Sequence, residues 1–414
     1  MRKSVFSALF LFIIILTGSA QNKNLGYFLD LALHNSPLLK EYQNRLKTSD
    51  IDSLRLRAGL GVQVNAVTND SYTPVINGFG QDEAITNGTN IYAAVAVSKG
   101  IISKGNLQNQ LQAIALQKSS ILNPAKITEQ DLKKSVTDQY INVFGLSRQV
   151  NFNGDLLALM QKEEILFKKL TATGVYKQTD YLTFVVLMQQ QELQLIQTRN
   201  QLKNAARTLN YMCGVVDTTT FQVEDPALVA EKLPELQKSI FYQQFVTDSL
   251  NLAIAHKQID FSYQPKLNLF GDFGYNSSLA YQPWKNFGPN IGLNLSIPVY
   301  DGRQKKMQHD QVALSEQTRK TNSEFFGKQY KQQIDQLIIQ LADNQKYKSK
   351  IEKQITYSGV LVDANRKLIE TGDVSVTGYL IAISGFLTSQ NLLIQNQIEY
   401  YQLINQLNYW CREK

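Results

Sequence analysis

Three histidines and two cysteines are the first side chains to weigh as metal ligands or as a catalytic base and nucleophile. His34, His256 and His309 stand far apart, with no partner at zinc-ligand or catalytic-triad spacing, so each reads as a surface or packing residue. Asp301-Gly302 reads as a turn, and no phosphate-cradling loop or dinucleotide fingerprint occurs. No catalytic residue, no metal and no cofactor is therefore expected. A secreted hydrolase would need a nucleophile beside a base, and the sequence pairs none.

The chemistry that remains is that of surfaces, and it depends on the elements that carry them. Arg2 and Lys3, the apolar run Val5 to Leu16 and the small residues Gly18-Ser19-Ala20 predict a secretory signal peptide over residues 1–20. The run is nearer a dozen residues than the roughly 20 that a bilayer crossing requires. No cysteine follows the cut to carry a lipid, and no later run of about 18 apolar residues predicts a membrane helix. A barrel or a surface helix is the remaining route into a membrane. The net charge is +7, and loss of Arg2 and Lys3 leaves +5, a mild excess without any basic block. No nucleic-acid partner is expected. Glycine and proline are sparse, and the abundance of Gln, Asn, Leu, Ile and Lys suits long helices with wetted faces.

One unit occurs twice. Leu209-Asn210-Tyr211-Met212-Cys213 recurs as Leu407-Asn408-Tyr409-Trp410-Cys411, an offset of 198 residues. The same offset carries Leu170, Thr173, Gly174, Thr179, Tyr181 and Leu182 onto Leu368, Thr371, Gly372, Thr377, Tyr379 and Leu380. Each half therefore predicts the same architecture. Cys213 and Cys411 fall at equivalent ends of different helices, too far apart for the roughly 5–6 Å Cα spacing of a disulfide, and read as buried small hydrophobes.

Each unit reads as an opening helix, two strands and two long helices. The opening helices are predicted over 24–60, broken near Pro37, and over 234–259. Period-two alternation predicts strands over 62–72, 89–98, 266–275 and 290–299. Val62, Val64 and Ala66, then Ile91, Ala93, Val95 and Val97, then Leu267, Leu269 and Phe273, then Ile291, Leu293, Leu295 and Ile297 fall on the oily side. The opposite side is small or polar. This matches transmembrane barrel strands, and equally a soluble β-sandwich. Aromatics at the strand ends, Tyr72, Phe79, Tyr275, Tyr281, Trp284 and Phe287, favour the membrane, with 73–88 and 276–288 as extracellular loops. Four strands cannot close a barrel, because an open sheet in lipid leaves edge N–H and C=O groups unpaired. Three copies would supply twelve strands. The long helices are predicted over 105–170, with a bend at Pro124, and over 179–212, 303–368 and 375–410; the first of these would span roughly 100 Å. An apolar stripe opposite a Gln/Asn face fits helices walling a water-filled tube. Two ordinary helical hairpins in a soluble bundle are the alternative.

With these elements in place, the mature chain resembles the TolC-type outer-membrane efflux family. The resemblance rests on Ala172-Thr173-Gly174-Val175 and Glu370-Thr371-Gly372-Asp373, each followed by a Tyr-Leu helix start, and on Ser296-Ile297-Pro298-Val299-Tyr300-Asp301-Gly302-Arg303 before a long helix. It implies a mostly α fold with a membrane β-barrel portion, two repeats over 21–213 and 234–414, and an equatorial linker over 214–233. It further implies a homotrimer in outer-membrane lipid, with a twelve-strand barrel continued by a twelve-helix periplasmic tunnel. Its partners would be a hexameric periplasmic adaptor and an inner-membrane pump of the RND or ABC type, which supplies the energy. Thr173, Gly174, Asp180, Tyr181, Thr371, Gly372, Asp373 and Tyr379 would form the periplasmic gate and adaptor contact. Asp180 matches the family's acidic position after the first turn, but Gly378 and Ile381 stand where the second half would carry its own acid. Only Asp373 and Glu370 lie nearby, so weak cation binding at the mouth is expected. A periplasmic coiled-coil scaffold that never enters lipid is the alternative reading.

Overall fold

Pro37 lacks the N–H that would carry a helix across it, and the opening helix divides there into α1 (Leu25–Asn35) and α2 (Pro37–Gly59). Asn24 caps α1 by accepting a 2.9 Å hydrogen bond from the Tyr27 N–H. The computed structural model describes residues 23–80, 88–217, 221–279 and 282–412; the predicted signal peptide, Tyr281 and part of the predicted 73–88 loop lie outside them. The order continues β1 (Gln63–Thr73), β2 (Gly88–Ile101), α3 (Lys104–Ala172), α4 (Gln178–Met212), α5 (Ile240–Ser262), β3 (Lys266–Ser277), β4 (Phe287–Ser296), α6 (Gln304–Thr371) and α7 (Val376–Trp410). The expected pattern of strand, strand, long helix, long helix thus occurs twice. α3 is one helix of 69 residues with Pro124 inside it, so the proline does not end it.

Two compact units divide the chain. One holds α1, Glu129–Leu233 and Gln333–Cys411. In it, Phe28 and Ala32 of α1 bury against Val136, Tyr140 and Val143 of α3 and Ala205 and Leu209 of α4. The Tyr140 hydroxyl reaches the carbonyls of Lys23 (3.1 Å) and Glu224 (2.9 Å), so this large buried ring leaves no polar atom stranded. Gly145 of α3 leaves room for Ile398 of α7, whose side chain fills the space a Cβ would take.

The other unit holds Pro37–Thr128 and Pro234–Gln332, and with them the sheet. Its strands run in the order β1-β2-β3-β4, all antiparallel, so β1 and β4 are its edges. The register puts Val64 opposite Val97, Val95 opposite Phe273, Leu269 opposite Leu293 and Leu267 opposite Leu295. β4 differs from expectation: it starts at Phe287 and stops at Ser296, leaving Ile297 and Val299 past its end. Pro298 is the reason, since it has no N–H for the ladder and its ring restricts the residue before it.

Cys213 and Cys411 are free thiols, both buried. Cys213 Sγ faces the Phe28 carbonyl at 3.4 Å, and Cys411 Sγ the Leu407 carbonyl at 3.2 Å. Burial pushes both thiols up to about 11. Maleimide at neutral pH should therefore leave native protein unlabelled and modify two thiols per chain after denaturation, read by mass spectrometry.

Candidate functional site

The two turns between long helices are built the same way. At the end of α3 the Val175 N–H donates to the Leu170 carbonyl (3.0 Å) and the Gly174 N–H to Thr171 (3.1 Å). At the end of α6 the Asp373 N–H donates to Leu368 (2.9 Å) and the Gly372 N–H to Ile369 (3.2 Å). Each is a Schellman motif, which satisfies the last carbonyls of its helix and needs a left-handed residue at the turn. Gly174 and Gly372 supply it, both at φ +79°.

The restarting helices are capped differently. Asp180 reaches back so that its carboxylate accepts the Lys177 N–H at 3.2 Å. In the second copy Gly378 stands at that position, and Ser375 Oγ accepts the Gly378 N–H at 3.1 Å. Thr371 Oγ1 donates to Asp373 Oδ2 at 2.6 Å, and Thr173 Oγ1 turns inward to the Leu170 carbonyl at 3.0 Å. The Tyr181 hydroxyl donates to Glu164 at 2.9 Å.

The structure brings these eight residues to one end of one unit, and Tyr176, which carries no sequence signal of its own, ties the turns together. Its hydroxyl lies 2.9 Å from the Val374 carbonyl and 3.1 Å from that of Ile369. Val374 occupies the position equivalent to Tyr176, so only one copy carries the tie. Behind it Phe167, Phe184, Ile369 and Val376 form a core that includes Tyr379. Tyr379 is 1% exposed, so it supports the turns from within and offers no surface to a partner. Burial pushes its hydroxyl up to about 12.

Glu163 and Arg366 are a second pair that the sequence does not announce. Glu163 is 2% exposed with Arg366 Nε 2.9 Å from its Oε1, yet neither carboxylate oxygen receives an aligned hydrogen bond. Burial raises its pKa, Arg366 opposes that shift, and Glu370 adds to it. Neither residue belongs to a sequence motif, and their proximity comes only from the packing of α3 on α6.

In the sheet, Leu267, Leu269, Phe273, Ile291, Leu293 and Leu295 share one face with Val64, Val95 and Val97. Most stand open, Ile291 being 81% exposed. The opposite face carries Asn268 against Asn294 and Asp272 against Asn290, whose amide donates to the carboxylate at 3.1 Å. Phe270 also lies there, over Gly292, where any Cβ would strike its ring. No described helix is long and apolar enough to cross a membrane, and no three described His, Cys, Asp or Glu residues cluster as a metal site. Two of the histidines are nevertheless not isolated: His256 Nδ1 and His309 Nδ1 meet at 2.8 Å. Fifty-three residues separate them in the chain, and α5 and α6 bring them together.

Gly174→Ala should cost about 1–2 kcal/mol, the price of a Cβ in left-handed backbone, because nothing else crowds it. Gly372→Ala should cost more, since its Cβ would lie 3.1 Å from Val175 Cγ1, and Val175→Ala should remove that excess in denaturant melts. Glu163→Gln tests the buried carboxylate. With a raised folded pKa, the wild type is favoured below the unfolded value of about 4.3 and loses stability as pH rises through the folded one. The melting temperature of the variant relative to wild type should therefore climb as the pH rises above the unfolded carboxylate value and level off once the folded carboxyl has ionised; a constant difference would refute the assignment.

No family model and no curated sequence matches the chain. Solved structures do. CusC, whose study concerns folding and transmembrane channel formation, aligns with a TM-score of 0.79 at 14% identity over 95% of this chain and 93% of its own. The outer-membrane protein VceC from Vibrio cholerae aligns at 0.78 and 15% over 94% and 96%. The outer-membrane channel CmeC from Campylobacter jejuni aligns at 0.72 and 12% over 95% and 87%. Over nearly its whole length, then, this chain has the fold of CusC, of the outer-membrane protein VceC and of the outer-membrane channel CmeC.

Proposed function

We propose that the chain is the exit duct of an efflux pump or type I secretion system in the outer membrane of a Gram-negative bacterium. It works as a passive homotrimer and not as an enzyme. The observation that carries this reading is the four-stranded sheet with one exposed apolar face and two free edges. In lipid each unpaired edge group costs several kcal/mol, so the sheet is complete only when β4 of one copy pairs with β1 of the next. The polar face, with its Asn pairs, then lines a wet bore. The long helices extend into the periplasm, and the turns at Gly174 and Gly372 form the mouth. There a periplasmic adaptor docks, and an inner-membrane pump of the RND or ABC type supplies energy. Asp180 and Asp373 are the mouth carboxylates, and both are already engaged by neighbouring donors, which supports weak cation binding.

The test is expression of the full chain with membrane fractionation. The protein should travel with outer membranes, require detergent, and show a trimer mass. Once reconstituted it should conduct ions with only weak divalent block. Leu293→Arg puts a charge on the lipid face at about 2–4 kcal/mol per strand if mid-bilayer, and should abolish assembly. A soluble monomer in plain buffer would support the periplasmic scaffold instead.

A further inference from the structure

α5 and α6 face each other through two pairs of side chains at i,i+4 spacing, His256 with Asp260 and Lys305 with His309. Asp260 Oδ1 holds Lys305 Nζ at 2.9 Å and His309 Nε2 at 3.3 Å. The two imidazoles meet by Nδ1 at 2.8 Å, with their planes 14° apart and their centres 5.1 Å apart. That centre distance exceeds the N···N distance by the full two ring radii, the most that the geometry allows. The rings therefore lie edge to edge in nearly one plane, with the two nitrogens aimed at each other.

The carboxylate sets the tautomers. It only accepts, so His309 carries its proton on Nε2, donates it to Asp260, and presents a bare Nδ1. His256 then supplies the shared proton from its own Nδ1. This is the arrangement that metal-ligating histidines adopt: the far nitrogen is tethered to a carboxylate, which fixes the tautomer and aims the near one. Asp260 and Lys305 offset each other's charge, so the pair does not repel a cation. His309 is 29% exposed, which leaves a way in from solvent.

We propose that His256 and His309 form a binding site for a borderline transition-metal ion of the zinc(II) class, which replaces the shared proton and pins α5 to α6. Imidazole nitrogen is the donor such ions favour. Zinc–nitrogen bonds of roughly 2.0–2.1 Å at tetrahedral angles need the nitrogens about half an ångström further apart than they stand and each ring turned by roughly 35° from its head-on pose, with water completing the shell. The proton on His256 Nδ1 leaves to solvent and Nε2 takes one up, so His256 changes tautomer with no net proton lost. Asp260 is a positioning residue and not a ligand. The site lies within one unit of one chain and depends on neither trimer formation nor channel activity.

The experiment is calorimetric titration of zinc chloride into tag-free, metal-stripped full-length protein in detergent. One ion should bind per chain, at least tenfold more weakly in His256→Gln and in His309→Gln, about tenfold more weakly in Asp260→Asn, and unchanged in His34→Gln. Copper(II) loading gives a second readout that survives any loss of stability in a variant. Its electron paramagnetic resonance spectrum should show coupling to two imidazole nitrogens in the wild type and to one in His309→Gln. Zinc binding that is absent, or equal in wild type and the His256→Gln/His309→Gln double variant, would overturn the site. So would a copper spectrum that His309→Gln leaves unaltered.

Discussion

A strand at the margin of a sheet presents a row of N–H and C=O groups to whatever lies beside it. Water can satisfy that row and hydrocarbon cannot, and the rest of this molecule is arranged around the difference. One face of the sheet carries Leu269, Phe273, Ile291, Leu293 and Leu295 in the open, which selects an apolar surrounding. The same surrounding makes the free margins of β1 and β4 intolerable. On the proposed reading a chain with this face and these margins is unfinished alone, and copies of itself would supply its missing hydrogen bonds. Helices need no such neighbour for their backbones. α3 and α6 can thus continue for 69 and 68 residues with Gln- and Asn-rich surfaces facing water.

The duplication explains why the turns agree and also where they part. A helix that must stop and reverse needs one residue in left-handed backbone, and glycine alone enters that region without steric cost. Both copies kept it, and both kept the two hydrogen bonds around it. The residues beyond each turn were free to diverge, because the first turn of a helix has several orphan N–H groups: the Asp180 carboxylate takes the one on the residue before its helix, and the Ser375 hydroxyl the one three residues further on. Tyr176 exploits the divergence by bonding to the carbonyl of Val374, its own counterpart in the other copy.

Much of this is legible in the residues because the signals are periodic. Alternation in β1 to β3 fixes the faces, and Gly174 and Gly372 mark the turns through their constant offset. The end of β4 is misread from the sequence because Ile297 and Val299 keep the alternation while Pro298 between them cannot join a ladder. Period and hydrogen-bonding capacity disagree there, and the latter prevails. The place of Tyr379 after a turn predicts an exposed role, but helical phase carries it into the core with Phe167. Glu163 with Arg366, and His256 with His309, are invisible for another reason. Each pair joins separate helices, and no local pattern records which residues packing brings face to face.

The unequal caps of α4 and α7 have a geometric consequence. In the proposed three-copy assembly six turns would surround the opening, alternating between one capped by the Asp180 carboxylate and one capped by the Ser375 hydroxyl. Such a rim imitates sixfold order in its backbone while its chemistry repeats only every 120°. A collar of six identical subunits would meet two kinds of seat, so its members would sort into two sets of three, identical in sequence and unequal in grip.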